Sequence, residues 1–566
     1  MIASPAEPGT RLANLGPKIL WAVALGFALL RFSALDADPS GLLTPEFFTD
    51  EGWYSLNARN QALFGRWVMD QHNVSLVLCP LHTFGLWASY SLLGVSFWST
   101  RIVGALASVL TIGLIGWRLR KQPLAGALAA ALVATQPILF ALARVAYCES
   151  FQLAFVCATW FFATDERRRS RSWFLCGLFA GLAVLAKASA LYAPMLALAG
   201  PFLWSAGETR GRRLRELGFV ASGCALALLA ILPFELRFLD ILLAESGRED
   251  SVLSLVPYGL RLPLLFGLAG DHSVHPGFWA AILPLIVLVG VAGSRWVLER
   301  TRMRESDAPA RAALGWIGFS LLLLFVRGIP ALPERYWMNL VPPSVCLVAL
   351  ASSVRAEQER ASGVARLWLA CALLAFGPAL VIRNLVQPAV QELEMVAAQP
   401  LHRFWIPALI AGACLTILFR ACRLPERLAR MPLLAPGLAL LVLGWSCLCA
   451  GTIVWKPTFT IRDTSRALAV AGESRVLMGA AANTLSLETP YRAFVRRDLA
   501  AMKMGSGWLN RDWRALGATH GLTDRWVGQD PEPRPPVDGA ILDSSFDVWP
   551  DLSGRPRRVV HLWRLP

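Results

Sequence analysis

Pro432-Leu433-Leu434-Ala435-Pro436-Gly437-Leu438-Ala439-Leu440-Leu441-Val442-Leu443-Gly444-Trp445-Ser446-Cys447-Leu448-Cys449-Ala450-Gly451-Thr452-Ile453-Val454 carries no charge along its length. A helix needs roughly 17–25 such residues to cross a bilayer. Similar runs precede it at 18–35, 99–118, 124–142, 147–164, 173–188, 190–205, 217–236, 277–294, 313–329, 336–354, 365–383 and 404–420. That makes about thirteen predicted spans by hydropathy. Of the 566 residues 55% are hydrophobic, and the mean hydropathy is +0.49. A soluble chain cannot hide that much apolar surface. The runs are continuous rather than alternating, which argues against a β-barrel. The expected class is an all-α polytopic transmembrane protein. The apolar but turn-rich segment 80–97 is expected to lie in the interface or dip back into it.

The net charge is +15 and the pI about 9.8. Most of the excess sits in short loops, at Arg118 to Lys121, Arg167 to Arg169, Arg210 to Arg213, Arg295 to Arg304 and Arg420 to Arg430. These clusters all fall on the side of Arg11 and Lys18, which the positive-inside rule makes cytoplasmic. The basic balance is therefore read as a topology signal, and nucleic-acid binding is the weak alternative. The N-terminus is expected inside, as an uncleaved signal anchor, because Arg31 and Phe32 stand where a cleavage site would need small residues. An odd span count puts the C-terminus outside. The 11 cysteines stop at Cys449, fall mostly in apolar spans and show no CxxC spacing. They read as small buried hydrophobes, with no disulfide framework.

Beyond Trp455 no apolar run is long enough to span. Short strands are expected at 475–479, 540–543 and 559–563, with a glycine-stopped helix end at 513–517 and a stiff proline-rich loop at 531–536. The domain reading is a membrane part over 1–456 and an extracytoplasmic α/β domain over 457–566. External loops are read at 36–80, 240–276 and 384–403. Within the first, 50–67 is expected to be an amphipathic helix offering Trp53, Tyr54, Ala58, Ala62 and Trp67 to the membrane surface.

That helix opens with Thr49-Asp50-Glu51-Gly52-Trp53-Tyr54, and Ala58-Arg59 follows. A charge at membrane depth costs about 2.5–3.5 kcal/mol on insertion scales, so each such group needs a reason. Arg144, Glu149, Lys187 and the run Glu334-Arg335-Tyr336 cluster at predicted outer span ends. With Asp50, Glu51 and Arg59 they can line one outward cavity of carboxylates and cations. Such a mixture suits transfer of a sugar from a lipid phosphate. A carboxylate can take the acceptor's proton, and cations can meet the charge that grows on the leaving phosphate. Bland readings stand beside this one. Asp50 and Glu51 also complement a helix dipole, Glu149 with Arg144 also makes an ion pair, Lys187 can snorkel, and Arg335 with Tyr336 can anchor at the interface.

The ordered set resembles the GT-C superfamily of polyprenyl-phosphate-sugar glycosyltransferases. It is nearest to the protein O-mannosyltransferase and aminoarabinose lipid A transferase branch. The resemblance rests on Thr49 to Tyr54 with Ala58-Arg59, Cys79-Pro80-Leu81-His82, Leu93 to Ser96 with Arg101, Ala143 to Glu149, Gly177 to Ala183 with Lys187, His275 to Trp279 and Glu334 to Tyr336. It covers about the first 350 residues and thins after about residue 360. It implies a GT-C fold and an inverting hexosyl- or pentosyltransferase that needs no nucleotide sugar. The acceptor would be an extracytoplasmic lipid, glycan or protein. It implies Asp50 as base, Glu51 as its assistant, and Glu149 as the second family acid where many relatives have Asp. Arg59, Arg144, Lys187, His275, Arg335 and Tyr336 would bind substrate, with 240–276 as a lid. Asp271, His272 and His275 are types that bind a divalent metal, though two histidines in a polar loop are more commonly solvated, so metal use stays open. Short loops suggest a bacterial inner membrane. The rival reading is a transporter or flippase of a lipid-linked substrate, for which matching halves would be expected; none is visible. A catalytically silent relative with a binding domain is the third.

Overall fold

The computed structural model describes residues 8–39, 47–68, 73, 75–165, 167, 169–203, 209–237, 308–326, 338–353, 434–455, 457–470, 475–479, 481–494, 513–514, 516–526, 535–550 and 556–566. The expected spans 277–294, 365–383 and 404–420, the lid 240–276 and the loops 384–403 and 531–534 lie outside them. The helical body begins with α1 (Pro8–Leu30), α2 (Phe47–Phe64), the single turn α3 (Ser75–Leu78), α4 (Pro80–Leu93), α5 (Phe97–Arg118) and α6 (Pro123–Thr135). It continues with α7 (Pro137–Leu142), α8 (Cys148–Ala163), α9 (Ser170–Ala186), α10 (Tyr192–Leu203) and α11 (Arg210–Arg237). Helices Ala308–Val326, Val341–Ser353 and Leu434–Trp455 follow among the described residues.

Among the described residues three candidate spans are long and apolar enough to cross a membrane, at Phe97–Arg118, at Arg210–Leu232 and within Ala439–Val470; shorter apolar helices lie at Leu15–Leu30, Pro123–Thr135, Cys148–Ala163, Ser170–Ala186, Ser189–Phe202 and Met338–Leu350. The expected span 124–142 is broken in two. Pro137 cannot continue α6, because it lacks the N–H and disfavours helical backbone in the residue before it. Residue Gln136 accordingly sits at ψ 118° between α6 and α7. The turn-rich segment 80–97 instead forms the regular helix α4, with Pro80 in its first turn, where a missing N–H is tolerated. A capping box between Ser96 and Ser99 then starts α5.

Small residues set the packing. Every residue of α6 from Ala125 to Thr135 is buried, so its neighbours press on it from all sides. On α9, a Cβ at Gly177 would lie 2.0 Å from the Val220 carbonyl oxygen, and one at Gly223 of α11 would lie 2.2 Å from the Phe174 oxygen. The two backbones touch there, as membrane helices do where small residues face each other.

After Trp455 come a helix, Thr460–Val470, and a five-stranded sheet. Its strands are β1 (Val476–Met478), β2 (Arg492–Phe494), β3 (His520–Trp526), β4 (Ile541–Pro550) and β5 (Pro556–Arg564), in the order β2-β1-β3-β5-β4. β1 runs parallel to β2 and β3, while β5 pairs antiparallel with β3 and β4. The three expected strands are present, two of them longer than expected, and β2 and β3 were not read from the sequence. Of the expected helix end at 513–517, the described residues 513–514 and 516–517 are turns, with Gly517 at φ +68°. The sheet's apolar side is not self-contained. Leu56 of α2 and Phe97 of α5 are buried in one cluster with Ile461, Leu468, Leu485, Leu522 and Leu562.

Candidate active site

α2 is the pivot. From Glu51 to Asn60 almost every side chain is buried, so Tyr54 and Ala58, expected at a membrane surface, pack inside the protein, while Trp53 and Trp67 are half-buried and Ala62 is exposed. It is wedged between the helical body and the segment 481–491. Gly52 makes the wedge possible. A Cβ there would fall 2.2 Å from the Thr484 backbone nitrogen, and its N–H donates to Thr484 Oγ1 at 3.1 Å.

Asp50 and Glu51, adjacent in sequence, have different surroundings. Asp50 stands half-buried in the first turn of α2, where the helix dipole favours a negative charge. Glu51 points the other way, into the protein. Arg101 of α5 grips it with two bonds, Nε to Oε1 at 2.6 Å and Nη2 to Oε2 at 2.7 Å. The Ala146 N–H donates to Oε1 at 2.9 Å. The remaining Arg101 nitrogen, Nη1, donates to the carbonyls of Leu35 (3.0 Å) and Ala37.

Arg59 and Arg144, expected to bind substrate, donate to main-chain carbonyls. Arg59 reaches Leu487 (3.2 Å), Thr489 (2.7 Å) and Tyr491 (2.8 Å). Burial pulls its pKa down to about 10. Arg144 holds the carbonyls of Leu30, Arg31, Ser33 and Ala34 just past the end of α1, at 2.6–3.2 Å. Arg31 does the same for α6, donating to Ala134 at 2.8 Å. Such end carbonyls lack partners within their own helix, and a guanidinium supplies them. Arg144 does not pair with Glu149, as the bland reading had it; Lys187 does.

The second acidic residue and the lysine meet. Lys187, at the C-terminal end of α9, pairs with Glu149 Oε1 in the first turn of α8 and lies 3.3 Å from the Tyr54 hydroxyl. Cys148 Sγ stands 3.5 Å from Glu149 Oε2. Tyr54, one helical turn beyond Asp50 and on the same face, is the hub of this cluster. Its ring meets those of Tyr147 at 5.7 Å and His82 at 6.2 Å, both edge to face, and the Lys187 ammonium lies 5.5 Å from its centroid. The structure thus brings Glu149, Lys187 and the Asp50-bearing face of α2 together. Glu51 and Arg144 are held in contacts within the protein, while Arg59 donates Nε and Nη2 to carbonyls and its buried Nη1 has no partner among the described residues. His275, Arg335 and Tyr336 lie outside the described residues, as do Asp271 and His272. Among the described residues no group of three or more His, Cys, Asp or Glu is placed to hold a metal.

Arg101, Tyr147 and His82 stand in the motif stretches with no role legible in the sequence, and Tyr54 reads there as a membrane-facing residue. A charge inside an apolar run was the available signal for Arg101; nothing local marks the other three.

Residues 78–236 match the family model described as dolichyl-phosphate-mannose-protein mannosyltransferase. The match covers less than half of the chain and falls on the stretch that carries α4 to α11, with Arg101, Glu149 and Lys187. Over that stretch it bears out the resemblance to GT-C polyprenyl-phosphate-sugar transferases. No curated protein matches. Among solved structures, the chain is similar to ArnT from Cupriavidus metallidurans bound to undecaprenyl phosphate, at 18% identity, 96% of this chain, 97% of that chain and a TM-score of 0.47. It is similar to the same protein in the apo state at 15%, 96%, 97% and 0.49. The archaeal oligosaccharyltransferase AglB from Archaeoglobus fulgidus, in complex with an inhibitory peptide and a dolichol-phosphate, follows at 12%, 89%, 69% and 0.46.

Proposed function

We propose that the chain is an integral-membrane glycosyltransferase that passes a hexose or pentose from a polyprenyl-phosphate donor to an extracytoplasmic acceptor, with inversion. The family match over 78–236 supports the reaction class. The observation that carries the site is the division of labour between neighbours. Both Glu51 oxygens are held by Arg101, while Asp50 is half-buried at the start of α2. Asp50 is then the carboxylate an acceptor can reach. The acceptor hydroxyl gives its proton to Asp50 as its oxygen bonds to the anomeric carbon, and the bond from that carbon to the phosphate oxygen breaks on the opposite face. The phosphate leaves with one more negative charge than it carried as a diester. Lys187, balanced by Glu149, stabilises that charge more than the ground state does. An inner membrane, a cytoplasmic N-terminus and an external C-terminal module complete the reading.

The test is transfer in membranes from radiolabelled polyprenyl-phosphate sugars. Asp50→Asn should lower the rate about 10²–10⁴-fold, the range of general-base effects, at unchanged protein level. Transfer that survives Asp50→Asn removes the base. Absence of transfer from every donor removes the reaction.

A further inference from the structure

His82 lies on α4, fully buried; neither of its ring nitrogens makes a hydrogen bond of normal geometry among the described residues, and the Cys79 thiol, a weak hydrogen-bonding group, lies against it. A buried polar group left unpaired costs about 1–3 kcal/mol, so a histidine kept in that state calls for a partner that comes and goes. Its surroundings say what kind. The ring is set edge to face against Tyr54 at 6.2 Å and lies 5.8 Å from Phe151 of α8. Tyr54 in turn contacts the Lys187 ammonium. One face of α2 runs alongside α4 here. Tyr54 meets His82, and one turn on Ala58 packs with Leu86 and Tyr90. Asp50 precedes Tyr54 on that face by one turn, about 5.4 Å along the axis.

We propose that His82 is a binding residue for the phosphate of the polyprenyl donor. This rests on the glycosyltransferase reading above. A ring N–H donating to a phosphate oxygen gives a nitrogen its missing partner beside an existing cation. That bond strengthens as charge grows on the oxygen when the sugar departs. An acceptor hydroxyl is the poorer match, since its base stands a turn away at Asp50.

The experiment is thermal unfolding of the purified full chain in detergent, with and without undecaprenyl phosphate, and with undecaprenol as the phosphate-free control. Three forms are compared: native, His82→Phe and His82→Gln. Phenylalanine keeps the volume and edge-to-face contacts but removes both nitrogens, so the ligand-free melting temperature should hold or rise. The upward shift given by undecaprenyl phosphate should shrink, corresponding to about tenfold or weaker binding, the worth of a hydrogen bond to a charged group. His82→Gln, which keeps a donor, should recover part of it. A lower ligand-free melting temperature in both variants would make His82 structural and overturn the assignment. So would an undiminished shift in His82→Phe, which is what a histidine satisfied by buried water predicts. A His82-dependent shift given equally by undecaprenol would overturn the phosphate as its target. No shift in the native chain would overturn the donor reading itself, and His82 with it.

Discussion

Two buried clusters flank α2, and they are built on opposite rules. On one side Arg101, Glu51, the Ala146 N–H and the carbonyls of Leu35 and Ala37 form a closed set in which every guanidinium nitrogen and both carboxylate oxygens have partners. On the other, Lys187 and Glu149 pair beside Tyr54, next to a histidine whose ring nitrogens have only the weak Cys79 thiol against them and no hydrogen bond of normal geometry among the described residues. Charge alone does not separate the two, since each holds one cation and one carboxylate out of water. Completeness does. A satisfied network has nothing left to offer a ligand and acts as scaffold, whereas a poorly satisfied buried donor carries a cost that an arriving ligand relieves.

The largest effect should come from opening the closed cluster. Glu51→Gln leaves the Arg101 charge buried without its counter-ion, a change that typically costs about 3–5 kcal/mol. A fall in melting temperature of the detergent-purified chain, with loss of protein from membranes, is expected. Replacing both partners with apolar residues of similar size, Glu51→Leu with Arg101→Met, should recover much of that loss, because the uncompensated charge is gone. If Glu51→Gln instead melted like the native chain but failed to transfer sugar, the scaffold assignment would be wrong and Glu51 would join the chemistry. Next is the wedge. Gly52→Ala drives a methyl into the Thr484 backbone, and with a backbone atom at 2.2 Å no side chain can move aside. Overpacking of this kind costs about 1–3 kcal/mol. Faster proteolysis within 457–566 would report that the segment had come off α2; an unchanged digestion pattern would show that the contact is not needed to hold it.

Much of the fold was legible because bilayer spans are written in uninterrupted apolar runs, as at 97–118 or 434–455. What went astray was local and has physical causes. α4 looked irregular because Pro80 and Gly85 read as breakers, yet a first-turn proline is harmless and Gly85 faces the Phe151 ring, 3.5 Å from where its Cβ would be. α2 looked like a surface helix because Trp53, Tyr54 and Trp67 suit a membrane interface. Its partner on the side away from the helical body is 481–491, more than 400 residues away, and no periodicity announces a contact at that range. The site was half legible. Acidic residues at span ends stood out, and Glu149 with Lys187 do meet. Arg59 and Arg144 could not be sorted by sequence, because an arginine for phosphate and an arginine for main-chain carbonyls have the same letter. Only the structure shows Arg144 donating to four carbonyls at the end of α1.

The smallest effect sharpens the comparison by moving the same chemistry toward solvent. Asp38, just past α1, caps a helix from which it is separated by most of the chain. It accepts the N–H groups of Thr460 and Ile461, both at 2.9 Å, and the hydroxyls of Thr458 and Thr460 at 2.7 and 2.8 Å. Next to it Arg462 pairs with Asp36 at 2.5 Å, a pair whose side chains are 19% and 24% exposed. A carboxylate at a helix N-terminus satisfies orphan N–H groups, and its loss costs about 1 kcal/mol. A partly exposed ion pair contributes about 0–1 kcal/mol and fades with salt. Asp38→Ala should therefore lower the melting temperature slightly and by the same amount at low and high salt. Asp36→Ala should do less, and only at low salt. Asp38→Asn, which keeps one acceptor oxygen, should fall between native and Asp38→Ala. If Asp38→Ala were as costly as Glu51→Gln, burial would not be what separates these carboxylates, and the division of α2 into a sealed side and a receptive side would lose its physical basis.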